Sequence, residues 1–168
     1  MNITVYPEYY EGNITSKSVE IFGRLTECGK SRMYLYHNGE EEISYDKICS
    51  DGKNIEGDPD QDIKVYEWED IAIGLVCCMD VNNASLLNKV KEVLATSLCK
   101  IKIIAISSHM TSDWFSSNFI SPDFHGHLVA LSNGNEYGVA SFIAMSDGQK
   151  ISSTNYEKDT LYICVKST

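Results

Sequence analysis

Ile71-Ala72-Ile73-Gly74-Leu75-Val76-Cys77, followed directly by Cys78-Met79-Asp80, is the stretch on which the fold turns. Its first part is almost wholly apolar, as expected of a strand buried on both faces, and such strands lie inside sheets covered by other layers. Downstream, Asn82 or Asn83 can cap a helix whose apolar stripe is Leu86, Leu87, Val90, Val93, Leu94 and Leu98. Ile101 to Ile106 then reads as a second buried strand. A strand–helix–strand unit of this kind sets two parallel strands side by side through a right-handed crossover.

Upstream, Ile3 to Tyr6 is a short strand that stops at Pro7, because proline cannot donate to a sheet ladder. Between Ser18 and Cys28 the apolar residues Val19, Phe22 and Leu25 recur at helical spacing, and Gly29 follows in the position of a C-terminal cap, so a helix is predicted there. Met33 to His37 and Glu41 to Tyr45 flank Asn38-Gly39, the pair that favours a type I′ hairpin turn. Residues 50–62 are polar and rich in Gly and Asp, hence a loop. Beyond the polar stretch 107–124, the segments Leu128–Leu131, Gly138–Ala144, Lys150–Ser153 and Leu161–Val165 alternate with turn signals at Asn133-Gly134 and Asp147-Gly148. They predict a run of antiparallel strands. With no internal repeat and no linker, residues 1–168 read as one sheet-rich α/β domain with two or three helices.

Composition narrows the function classes. A chain of 168 residues, 43% hydrophobic and 23% charged, is long enough for one sizeable core. A net charge of −10 with scattered Lys and Arg argues against nucleic-acid or anionic-membrane partners, which need clustered cations. The acidic run Glu40-Glu41-Glu42 reads as a solvated strand end. The N-terminus has neither the basic nor the apolar region of a signal peptide, and no apolar run approaches the roughly 20 residues of a membrane span. Six cysteines at irregular spacing, without any CxxC, point to a reducing, cytoplasmic setting in which the sequons at Asn13 and Asn83 go unused. His125 and His127 could chelate a metal from one strand face, but no further ligand cluster joins them. His37 and His109 stand in no motif, and no metal or cofactor is expected.

The chemistry-bearing residues stand at strand ends. Glu8 follows the first strand, Lys47 follows the second strand of the hairpin, and Cys78 ends the buried apolar run. Open α/β sheets place functional groups at such carboxyl edges. A thiol attacking an amide or nitrile carbon needs a base for its proton, and a carboxylate supplies one. The oxyanion or developing imine nitrogen needs a fixed cation or N–H donors, which a lysine and a backbone amide supply. Tyr9 and Tyr10 stand beside Glu8, either lining a pocket or simply packed.

These segments resemble the carbon–nitrogen hydrolase (nitrilase-like) superfamily. Val5-Tyr6-Pro7-Glu8-Tyr9 is similar to its "VFPE" strand end, which bears the general base. Ile43-Ser44-Tyr45-Asp46-Lys47-Ile48 is similar to its lysine motif, and Ile73-Gly74-Leu75-Val76-Cys77-Cys78-Met79-Asp80 to its "IGLxICYD" nucleophile elbow. Asn135-Glu136-Tyr137-Gly138 and Ala144-Met145-Ser146-Asp147-Gly148 resemble later family segments, so the likeness runs from residue 3 to about 165. The resemblance implies a four-layer α-β-β-α sandwich, shortened at the N-terminus because the chain starts almost at the glutamate motif. It also implies a Glu8–Lys47–Cys78 triad, with the Met79 N–H as an oxyanion donor. The activity implied is hydrolysis of a small amide, carbamoyl compound or nitrile by a cofactor-free homodimer.

The chain also departs from the family. Met79 replaces an aromatic residue, and Val81-Asn82-Asn83 replaces an arginine-containing segment. Glu56 is the nearest counterpart of a second glutamate. Cys77, in an isoleucine's place, is expected on the opposite strand face from Cys78. Two other classes stay open beside the hydrolase: a non-catalytic binding or scaffolding descendant, and a histidine-dependent thiol protease or acyl transferase.

Overall fold

Alternation with a period of two, rather than helical periodicity, organises the N-terminal third of the chain. The structure, a computed structural model, describes residues 2–14, 18–50, 52, 54–109, 127–134, 142–144, 150–153 and 160–164. In it Val19–Leu25, predicted as a helix, is a strand, β2. Val19 and Ile21 point into the main core, whereas Phe22 packs on the other face among Tyr10, Tyr34 and Tyr36. Leu25 is 47% exposed. The i, i+3 spacing of Val19, Phe22 and Leu25 is thus fortuitous; β-branched Val19 and Ile21 suit a pleated, buried surface.

Two sheets result. The first has five strands in the order β11-β1-β2-β3-β4, with β1 at Asn2–Val5, β3 at Ser31–His37, β4 at Glu40–Asp46 and β11 at Leu161–Cys164. Asn38 and Gly39 take φ of 53° and 84° between β3 and β4. Both are left-handed, as the predicted type I′ turn requires. The second sheet has six strands in the order β10-β9-β8-β7-β6-β5. These are β5 Tyr66–Trp68, β6 Ile71–Cys77, β7 Ile101–Ser108, β8 Leu128–Asn133, β9 Phe142–Ala144 and β10 Lys150–Ser153.

Strands β6, β7 and β8 are parallel, and β5, β9 and β10 are antiparallel to their neighbours. The predicted antiparallel run after residue 128 therefore holds only for β8-β9-β10. Strand β11 crosses to the first sheet and pairs antiparallel with β1, so β1 is flanked on both sides.

The sheets face each other over a core that includes Ile3, Val5, Ile21, Met33 and Leu35 from the first and Ile73, Leu75, Ile103 and Ala105 from the second. Helix α1, Ala84–Thr96, lies outside β6, capped by Asn83, whose side chain accepts from the Leu86 N–H at 3.1 Å. It buries Leu86, Leu87, Val90 and Leu94, each worth about 2 kcal/mol. A Cβ at Gly74 would sit 2.6 Å from Val90 Cγ1, so glycine in β6 is what lets the helix dock. Leu98, predicted in the stripe, falls past the helix end and is 99% exposed.

Among the described residues α1 is the single α-helix, and they form the β-β-α layers of the expected α-β-β-α sandwich. No described helix is long and apolar enough to cross a membrane. On the outer face of the first sheet Tyr6 stacks on Tyr10, and Arg24 donates to the carbonyls of Tyr10 and Gly12. That folds residues 10–12 over the strands.

Candidate active site

The three predicted residues come from three different elements. Pro7 ends the first strand's run, and the chain turns sharply through Tyr9, whose φ is +63°. Glu8 is held there by its N–H to the Ser108 carbonyl at 3.2 Å and by the closeness of β2: a Cβ at Gly23 would lie 3.1 Å from Glu8 Cγ. Lys47 leaves the end of β4 with its N–H bonded to the Ser31 carbonyl at 2.8 Å. Cys78 stands just past the end of β6, with φ of +44°. A non-glycine residue held there costs about 1–3 kcal/mol, and the strain turns the strand abruptly into a short 3-10 helix, Cys78–Asn82.

Glu8 and Lys47 meet. Lys47 Nζ donates to Glu8 Oε1 at 2.8 Å, and both side chains are wholly buried. The hydroxyl of Ser31 donates to the same oxygen at 2.9 Å, while Glu8 Oε2 is buried and takes no hydrogen bond. Burial alone would push the Lys47 ammonium down, but Glu8 beside it, with the Cys78 and Cys77 sulfurs, holds it above its ordinary value. Burial pushes the Cys78 thiol up to about 12, and the Glu8 charge adds to that rise; Lys47 and the His109 backbone N–H pull the other way. At neutral pH Lys47 therefore rests as an ammonium and Cys78 as an un-ionised thiol. The thiol gives up its proton only when something takes it.

A second buried carboxylate ties the pieces together. Asp80 Oδ2 accepts from Tyr45 Oη at 3.1 Å and from the Ile48 N–H at 3.0 Å, and Oδ1 accepts from the Cys49 N–H at 2.7 Å. Tyr45 Oη in turn accepts the Cys77 N–H. Burial pushes the Asp80 carboxyl up against these three stabilising donors. The network fixes the turn carrying Cys78 to the strand end carrying Lys47. Neither member is among the predicted site residues, although Tyr45 stands two residues before Lys47 and Asp80 two after Cys78.

Strand alternation does not separate the two thiols, because β6 ends at Cys77 and Cys78 already belongs to the turn. Cys77 Sγ lies 3.9 Å from Ser31 Oγ and Cys78 Sγ 3.8 Å from Ser108 Oγ, and both sulfurs feel Glu8 and Lys47. Tyr9 carries its ring 5.9 Å from Lys47 Nζ and edge-on to His109, which brings His109 to the site; Tyr10 turns to the outer face.

Glu56 is exposed. Met79 is half-buried against the core. His127 lines a surface groove of about 430 Å³ with Lys91, Glu92 and Lys102, and His37 packs with Tyr66 and Trp68. His125 and most of the 135–138 and 144–148 segments lie outside the described residues. All six cysteines are free, and no cluster of His, Cys, Asp or Glu suited to a metal occurs among the described residues.

No protein-family model matches the chain, and none of the curated proteins matches it. Solved structures do. A cysteine-to-alanine mutant of the Nesterenkonia AN1 amidase from the nitrilase superfamily superposes with a TM-score of 0.66 over 86% of this chain, at 16% identity. The fold is that of the nitrilase superfamily. A glutamate-to-glutamine mutant of the same amidase, showing covalent addition of the acetamide moiety of fluoroacetamide at the active site cysteine, matches over 86% of this chain at 17% identity and a TM-score of 0.67. Its double mutant in complex with acrylamide gives the same figures. In each pair this chain spans 60% of the amidase chain.

Proposed function

We propose that the protein hydrolyses a non-peptide carbon–nitrogen bond in a small amide, carbamoyl compound or nitrile through a thioester on Cys78. The observation that carries this reading is the buried 2.8 Å contact of Lys47 Nζ with Glu8 Oε1 beside the strained Cys78 turn. A fully buried ion pair is an expensive thing to keep for stability alone, since a hydrophobic pair of like volume often does as well. The likeness in fold to amidases with an active site cysteine, one of them caught with acrylamide, supports the same substrate class.

In the mechanism, Glu8 Oε2 takes the Cys78 proton as the sulfur attacks the carbonyl carbon. The oxyanion forms against the Lys47 ammonium and the Met79 N–H. The C–N bond breaks as Glu8 returns the proton to the departing amine or ammonia. Water, deprotonated by Glu8, then attacks the thioester carbon, the C–S bond breaks, and the acid leaves with the thiol restored. No cofactor enters these steps. We place the enzyme in the cytoplasm, where its free thiols stay reduced, and as a homodimer.

The test is fluoroacetamide followed by peptide mass spectrometry, with ammonia release from acetamide and propionamide measured in parallel. Labelling concentrated on Cys78, lowered about 100-fold or more in Glu8→Gln and Lys47→Ala, is the expected result. Equal, slow labelling of all six cysteines would instead favour a binding or scaffolding role, a reading to which the 1% exposure of Cys78 lends weight. Loss of activity on replacing His109 or His127 by Ala, with Glu8→Gln active, would favour a histidine-dependent acyl transferase.

A further inference from the structure

We propose that Ser31 is a positioning residue for Glu8, the group that decides which carboxylate oxygen faces the thiol. The inference rests on the triad reading above and extends it to a residue outside the triad. Ser31 is fully buried at the first position of β3, where it touches both partners at once. Its carbonyl accepts the Lys47 N–H at 2.8 Å, and its hydroxyl donates to Glu8 Oε1 at 2.9 Å. Lys47 Nζ occupies the same oxygen at 2.8 Å.

A carboxylate oxygen can accept two such donors side by side, and once both are in place the carboxylate plane is set. Oε2 is thereby left buried and without a hydrogen bond. That oxygen is the one with capacity to receive a proton. A lysine alone, on a flexible stem, does not impose this choice, because an ammonium can slide to either oxygen or between them. The serine, rigid on a central strand, does.

Cys77 completes the arrangement. Ser31 has a single hydroxyl proton, and Glu8 takes it; the lone pairs left on Oγ face the Cys77 sulfur at 3.9 Å. A thiol there is a weak donor that fixes the rotation of the serine hydroxyl, so the chain of contacts runs Cys77, Ser31, Glu8. This gives Cys77, which the hydrolytic cycle does not use, a reason to be a thiol.

The experiment compares Ser31→Thr with Ser31→Val, a pair equal in shape that differs in the hydroxyl, using the rate of Cys78 alkylation by fluoroacetamide. In that reaction an S–C bond forms, fluoride leaves and the thiol proton passes to Glu8. Ser31→Thr is expected to stay within about twofold of wild type and Ser31→Val to fall about tenfold below it, the penalty of a base no longer held in line. Equal rates for Thr and Val, with Glu8→Gln slow, would overturn the role of Ser31 and leave the triad intact. If Glu8→Gln also labels at the wild-type rate, the triad reading itself fails. Circular dichroism checks each fold; should the Val variant not fold, Ser31→Ala takes its place in the comparison.

Discussion

Tyr45 Oη donates to Asp80 Oδ2 at 3.1 Å and accepts the Cys77 N–H, so one phenol joins the lysine-bearing strand to the turn that bears Cys78. Tyr45→Phe removes both bonds while keeping the ring. It leaves a buried amide and a buried carboxylate each short of a partner, at an expected cost of about 2–4 kcal/mol in urea unfolding. Cys78 labelling should slow as well, because the turn loses its tie to β4. An unchanged unfolding midpoint would show that water replaces the phenol.

Lys47→Met strands the Glu8 carboxylate without its cation, and unfolding free energy should fall by about 3–5 kcal/mol. Glu8→Leu combined with Lys47→Met removes the whole pair, and should recover most of that loss while Cys78 stays unreactive. Denaturant titration of the single and double variants measures both. A double variant no more stable than the single would mean that the pair itself holds the ends of β1 and β4 together.

Gly23→Ala brings a Cβ to 3.1 Å from Glu8 Cγ and 3.2 Å from Glu8 Cα. Glu8 must yield by a few tenths of an ångström, and Cys78 alkylation is expected to drop about tenfold with a stability change of only about 1 kcal/mol. Reactivity at the wild-type level would show that the turn at Tyr9 absorbs the shift.

The buried Cys78 thiol gives the protein an alkaline limit. Its proton is held up to about 12 in the folded chain and lost near 9.0 in the unfolded one. A raised folded value means that the contribution is complete below pH 9 and disappears as pH climbs toward 12. Over that window this one group lowers stability by about 1.4 kcal/mol per pH unit. Cys78→Ala should flatten the fall of the urea midpoint between pH 9 and 10.5 under reducing conditions. An equally steep fall would assign it to other groups, such as Tyr45.

Much of this molecule is written in local sequence, because local physics decides it. The unbroken apolar run 71–77, the Asn38-Gly39 turn and the capped stripe after Asn83 each have one low-energy solution. Strands β6 and β7, the hairpin and α1 follow from them. In Val19–Leu25 three apolar residues fit both a helical and a strand period, and only the facing sheet, which buries Val19 and Ile21 but not Leu25, selects the strand. Likewise Glu8, Lys47 and Cys78 could be named from their motifs, but spacing along a chain carries no information about which oxygen of Glu8 is occupied. Ser31, Tyr45 and Asp80 sit far from their partners in sequence: strand pairing within the first sheet brings Ser31 to Glu8, and the packing of one sheet on the other brings Tyr45 to Asp80. Residue types set what chemistry is possible; long-range burial decides which atoms meet, because a buried charge must find its partners wherever the fold puts them.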